Sequence, residues 1–513
     1  MLGLFGKDAE GNSRIVIEGL MPLAISLPDG YANGQRSIVI RQSGVGEVRI
    51  HAVRGNEEDC VYSNGMAVVL KQGDGWQYWV EGTRAGQVML EYEFPESAEY
   101  REANRPGGCA SSDCLYAYYD WSLAEPVSNE KGRFQLEVAS VKMAEVSFGG
   151  DKYWEIKSDD GKTVYSSPQW KDIDGNMNPT SAEKGERDYA VAFTRATKPK
   201  IGAKFRISSA SKLGAIKIKA AGPGGISVPE TAATVFDDHV TLPLAEASSA
   251  LVNTTKFYDK KDESKAFKLQ WQVKVGDLDW FTVGTTKHTV YVILDDPKTP
   301  LRQETLFELG CRNADGESDQ VSATEKIYGE FTDRVVRRLD GQQLTYWKYE
   351  RSAFQYKESD EILANPSADG NCEAWSALFR DILRLQGIGA KRLSVLPRGS
   401  DSYVLVKNWT FKGAGTSRNN VYPYVHNTDA FAGDRIPAQG NDYSPSYFSG
   451  HWITETAGVY YDPSYGTAPV GGANKDKVYE DGAFDGYGTQ KMLIRKNNTS
   501  PETRAEVGYE LTK

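Results

Sequence analysis

The hydrophobic period of this chain turns helical near Pro300, and that change limits the folds open to it. Upstream, short β-branched or alternating runs (Ser37–Arg41, Glu47–His51, Ala67–Lys71, Gly86–Phe94) are separated by turn dipeptides such as Asn64-Gly65 and Asp74-Gly75. That is the pattern of half-buried antiparallel strands. Downstream, apolar residues recur three and four positions apart, as on one face of a helix.

At about 150 residues per domain, 513 residues exceed one ordinary core. The expected fold class is multidomain: N-terminal all-β immunoglobulin-like sandwiches, then an α+β domain. The expected borders are a β-sandwich module at 1–95, a polar linker or insertion at 96–130, a second β-sandwich module at 131–229, a β module at 230–298 and an α+β domain at 299–513. Within the second module, Ile216, Ile218 and Ala220 point inward and Lys217 and Lys219 outward. After Pro300, Glu304–Arg312 reads as a helix carrying Leu306, Leu309 and Cys311. Ser322 and Glu325 form a capping box ahead of a longer helix with Ile327, Phe331, Val335 and Leu339 on one stripe and Gly341 as its stop.

A formal charge of −10, with lysine and arginine scattered, argues against nucleic acid or an anionic membrane as a main partner. The apolar runs are strand-length, so no membrane span is expected. Met1–Lys7 is too short and too weakly apolar for a secretory leader, and the compartment stays open. No cofactor or metal is expected: there is no C-x-x-C pair or His cluster. Asp172-Ile173-Asp174-Gly175-Asn176 reads as a turn rather than a calcium loop.

Five cysteines is an odd number. Cys109 and Cys114 can bridge each other, or one can pair with Cys60; Cys311 reads as a buried thiol. Cys372 is left over. It follows a polar, turn-forming approach, Ser367–Asn371, and opens an amphipathic run of Trp375, Leu378, Phe379, Ile382, Leu383 and Leu385 that ends near Gly387. The first turn of a helix, with unpaired amides and the positive dipole end, favours a thiolate and can hold an oxyanion.

Two further residues complete a candidate constellation. Gly450–Thr454 reads as a strand, Thr456-Ala457-Gly458 as a turn and Val459–Asp462 as the return strand. A turn centred between Thr456 and Ala457 makes facing positions sum to 913, which places His451 opposite Asp462 (451 + 462 = 913). A carboxylate there fixes the imidazole tautomer and stabilises its cation. A one-residue slip would separate them.

The segment Asn371–Ile388, with Gly370, Cys372, Gly387 and Ile388 in place, resembles the nucleophile helix of the transglutaminase-like superfamily. Phe448-Ser449-Gly450-His451-Trp452 and Tyr460–Gly466 resemble its His and Asp strands. The resemblance covers about 345–466 and not the β modules. It implies a papain-like triad of Cys372, His451 and Asp462 that attacks amides through a thioester. The reading is a cysteine-dependent amide or peptide hydrolase acting on a protein or peptide, with cell-wall peptide as one option. Protein cross-linking or deamidation is the alternative, and a surface-binding protein with a vestigial catalytic domain is another. Trp375 beside the nucleophile, Trp409 and Gln439 in the long Trp409–Gly450 segment, and Trp452 beside the base are the expected substrate contacts.

Overall fold

The computed structural model describes residues 143–172, 187–207, 215–236, 238–274, 280, 282–347, 356–365, 369–398, 403–404, 437–441 and 448–484 in full, and elsewhere only the backbone of strands. It is a sheet-rich, multidomain chain with several antiparallel sheets.

The first expected strands form where the alternation places them, at Ile38–Gly44, Glu47–Arg54, Val68–Leu70 and Gly86–Glu93. Lys131–Val138 pairs antiparallel with Gly86–Glu93 along its whole length and parallel with Ser13–Ile17. It therefore belongs to the first sheet, although it was expected to open the second module. Cys109, Cys114 and the Cys60 side chain lie outside the described residues.

Two further sheets face each other from Val141 onward. Phe205 on one meets Trp271 on the other edge-on, with centroids 5.9 Å apart. Ile216, Ile218 and Ala220 are buried and Lys217 exposed, as alternation requires. Lys200–Ile207 pairs with His239–Glu246, and Ile216–Ala221 with Phe267–Val275. Both pairings cross the border expected at 229/230. Alternation specifies which face of a strand is buried but not which distant strand lies beside it.

In a fourth sheet (Tyr153–Trp154, Val191–Thr194, Val290–Ile293, Lys256–Tyr258) the two central strands are buried on both faces. Val191, Phe193, Val290 and Val292 point into the sandwich core, whereas Ala192, Tyr291 and Ile293 join the core of the helices that follow. Two-sided burial explains the unbroken apolar runs Val290–Ile293 and Val191–Phe193. The hydrophobic core is thus continuous across the border expected at 299.

Helix α1 (Glu304–Asn313) matches its expected span, and Cys311 is buried on it. Helix α2 (Gln320–Thr332) does not. Its cap is Asp319, whose carboxylate accepts from the Val321 and Ser322 amides at 3.0 and 2.9 Å, so Ser322 lies inside the helix. It stops well before Gly341, because Arg334 adopts a left-handed φ of 63°. Ile327 and Phe331 are buried as expected, but Val335 lies past the helix and is exposed.

After the short α3 (Ser359–Ala364) comes α4 (Cys372–Leu385), the central buried helix. It ends in a Schellman motif: the Ile388 amide bonds to Leu383 O at 2.9 Å and Gly387 N to Arg384 O at 3.1 Å, with Gly387 at φ 76°. The Gln386 amide side chain ties this end to the fourth sheet, accepting from Leu294 N at 3.0 Å. Lys391–Pro397 runs between His451–Thr456 and Ala505–Tyr509, and Val459–Tyr461 continues the sheet beyond His451–Thr456. Helix α5 (Lys475–Ala483) follows. No helix of the described residues is long and apolar enough to cross a membrane.

Candidate active site

Cys372 is the first residue of α4, and its surroundings follow from the cap before it. Asn371 Oδ1 accepts from Glu373 N at 2.9 Å and Ala374 N at 3.2 Å, while Trp375 N bonds to Asn371 O. Of the four amides that a helix start leaves unpaired, the Asn371 side chain takes two, and Asn371's own amide bonds to Tyr356 O at 3.2 Å. The amide of Cys372 itself has no such partner among the described residues. Leu378, Phe379, Ile382 and Leu383 anchor the helix in a core with Tyr328, Phe331 and Tyr461. Asp381, held by a bidentate contact from Arg380, also ties the helix to α3 by accepting from Ser359 Oγ at 2.6 Å.

His451 and Asp462 meet. His451 Nε2 is 2.8 Å from Asp462 Oδ2, and both side chains are within 1 % of complete burial. The imidazole packs against the rings of Phe448 (5.3 Å, 29° apart in plane) and Tyr465 (5.6 Å), which are 6.3 Å from each other. Burial by itself drives the ring toward neutrality. The Asp462 carboxylate, by charge and hydrogen bond, and then Cys372 outweigh it and raise the His451 pKa to about 10. Cys372 is thus close enough to act on the ring, while Nδ1 has no aligned partner among the described residues.

Asp462 is held from two helices. Tyr479 of α5 donates to Asp462 Oδ2 at 2.8 Å, and Tyr328 of α2 donates to the Asp462 carbonyl at 3.0 Å and to Thr467 O at 2.6 Å. Neither tyrosine was singled out from the sequence. Tyr328 lies beside the expected stripe of α2, one residue past Ile327, and Tyr479 lies in a polar helix with no motif around it.

The expected substrate contacts are placed differently. Trp375 is wholly buried in the core against Phe331, because the apolar face of α4 packs on α2 there. Gln439 is a buried strut: its Nε2 donates to Phe331 O and Pro463 O, both at 2.7 Å, so its amide nitrogen is committed to main chain. Trp452 is half-buried with the Arg392 guanidinium over its ring at 5.4 Å, and strand alternation sends it to the face opposite its neighbour His451. Trp409 lies outside the described residues. Asp172, considered as a calcium ligand, is buried on a strand within 3.6 Å of Arg206. Among the described residues no group of three His, Cys, Asp or Glu is placed to hold a metal.

No protein-family model and no curated protein matches the chain. Among solved structures, a transglutaminase of red sea bream aligns at 13% identity and a TM-score of 0.27, over 55% of this chain and 51% of that one. A β-glucuronidase of Bifidobacterium dentium aligns at 9% identity and a TM-score of 0.16, over 69% and 51%. The chain spans about half the length of each. Likenesses this distant carry no argument, so the functional reading rests on the side chains.

Proposed function

We propose that the chain is a cysteine-dependent amide or peptide hydrolase with Cys372 as nucleophile, His451 as acid and base, and Asp462 as the orienting carboxylate. The observation that carries this reading is the buried His451–Asp462 contact of 2.8 Å beside a cysteine at the first position of a helix. An imidazole whose pKa is raised to about 10 is a cation at neutral pH, and it stands beside the sulfur ready to protonate a leaving amine. The resemblance of the three sequence blocks to the transglutaminase-like superfamily points the same way.

The chemistry follows in two balanced halves. The thiolate adds to the substrate carbonyl carbon, and the oxyanion develops next to the Cys372 amide. The imidazolium gives its proton to the leaving amine, the C–N bond breaks and a thioester remains. The neutral imidazole then takes a proton from water, whose oxygen attacks the thioester. The acid leaves, and the proton stays on His451 to restore the ion pair. A lysine amine in place of water turns the same half-reaction into cross-linking.

A protein or peptide, cell-wall peptide included, is the substrate class we assign. Trp409 is the contact we retain for it, and we assign the β modules no catalytic residues. Mass spectrometry of mixed peptides and cell-wall fragments, wild type against Cys372→Ala, tests this. New carboxyl termini or deamidated side chains that need Cys372 support hydrolysis, and isopeptide-linked products support transamidation. Identical spectra support the binding-protein alternative.

A further inference from the structure

We propose that Tyr479 is a positioning residue that sets the basicity of His451 through Asp462. The proposal rests on the triad reading above and extends it to a residue of α5, outside all three sequence blocks. Asp462 Oδ2 accepts two hydrogen bonds, from His451 Nε2 and from Tyr479 Oη, each 2.8 Å long. Oδ1 has no partner among the described residues. The two donors therefore share one oxygen and compete for its charge. A carboxylate that accepts from a phenol holds an imidazolium less tightly than one whose only donor is the ring.

Tyr479 is built to be a constant donor. It is buried against Tyr460 and Phe484, with centroids 6.3 and 6.0 Å away. Burial first, then the Asp462 charge, pushes its hydroxyl pKa well above the ordinary value, so it stays protonated wherever the protein is folded. The titratable groups around the pair are Cys372 on α4, Tyr328 on α2, Tyr346 and Tyr465 near the ring, and Tyr479 itself. Tyr328 binds main-chain carbonyls and so fixes where Asp462 sits without drawing on its carboxylate. Among these tyrosines, Tyr479 is the one bonded to the oxygen that holds His451.

The test is a ring-nitrogen NMR titration of His451 in the 15N-labelled full chain, which holds five histidines. Tyr479→Phe deletes one hydroxyl and keeps the ring packing. The imidazole midpoint is expected to rise by roughly half a unit or more. In an Asp462→Asn background the same substitution should leave the midpoint where it was. Tyr460→Phe, which removes a neighbouring hydroxyl bonded to Asp476, is the control and should not move it. An unmoved or lowered midpoint in Y479F, an equal shift without Asp462, or a Y479F chain that does not fold overturns the proposal. A wild-type Cys372 no more reactive than free cysteine defeats the hydrolase reading instead, and the His451 midpoint can still be read.

Discussion

His451 Nε2 stands 2.8 Å from Asp462 Oδ2, yet the two residues are not cross-strand partners. The hairpin pairs Thr454 with Tyr461, Glu455 with Tyr460 and Thr456 with Val459, so facing positions sum to 915 (454 + 461 = 915) rather than 913. The turn is Ala457-Gly458, with φ of 49° and 78°, the two left-handed positions that suit the twist of a hairpin. A difference of two in the sum keeps every side chain on its face. Asp462 becomes a diagonal neighbour of His451 and still reaches it.

Replacing Asp462 by Asn should lower turnover roughly ten- to a thousand-fold, because Asn can accept from the ring but supplies no charge for the imidazolium. Asp462 is buried and holds two side-chain hydrogen bonds. The stability loss should therefore be about 1–3 kcal/mol, more than at a surface site. Steady-state kinetics and thermal melts on one preparation separate the two effects. Unchanged turnover with a lowered Tm assigns Asp462 a structural role.

Two buried groups should give stability a falling profile with pH. Burial foremost, with help from Asp159 and Glu308, raises the Glu304 carboxyl to about 7 despite the Tyr165 hydrogen bond. A raised acid stabilises the fold below its unfolded pKa, and that contribution is lost as pH climbs through about 7. His451, raised to about 10 by Asp462 and Cys372 against burial, contributes fully below its unfolded pKa and loses this as pH rises through about 10. Urea unfolding across pH should show both declines. Glu304→Gln should flatten the first and His451→Gln the second.

A Pro300–Lys513 fragment should not fold alone. Its helices pack on Tyr291, Ile293 and Ala192, which lie upstream, and its Gln386 bonds to Leu294 N. Circular dichroism and limited proteolysis should show a disordered or molten fragment, and a 141–513 fragment should be cooperative. A cooperative melt from the shorter fragment would show that the fourth sheet is dispensable.

Gly310→Ala should destabilise the chain even though alanine favours helices by up to about 1 kcal/mol. A Cβ there would come within 2.5 Å of Gln386 Nε2. That amide cannot retreat freely, since its oxygen accepts from Leu294 N and its nitrogen contacts Cys311 Sγ at 3.3 Å. Overpacking of this kind costs about 1–3 kcal/mol, read as a lower Tm. A raised Tm would mean that Gln386 moves without loss.

What was legible in the sequence is what local rules determine. Asn371 and Gly387 set both ends of α4 through capping, and the Thr456–Val459 turn brought His451 and Asp462 to one face. What was not legible is non-local. Nothing within Lys200–Ile207 states that His239–Glu246 will lie beside it. Asp319 outcompeted the Ser322–Glu325 box because its carboxylate takes two amides, and Gln439 proved a strut because its partners, Phe331 and Pro463, are far away in sequence. Tyr479 reaches Asp462 from a helix whose pattern announces no site.

Cys372 is proposed to react as a nucleophile that His451 keeps poised, and the rate of its alkylation measures that directly. Iodoacetamide labelling of the full chain near neutral pH, read by peptide mass spectrometry, follows Cys372 with Cys311, buried and with its thiol pushed up to about 12, as internal reference. Cys372 should react much faster than free cysteine, and His451→Gln should abolish most of that advantage. A wild-type Cys372 that reacts no faster than free cysteine, or one that is indifferent to the loss of His451, contradicts the ion pair and with it the proposed hydrolase.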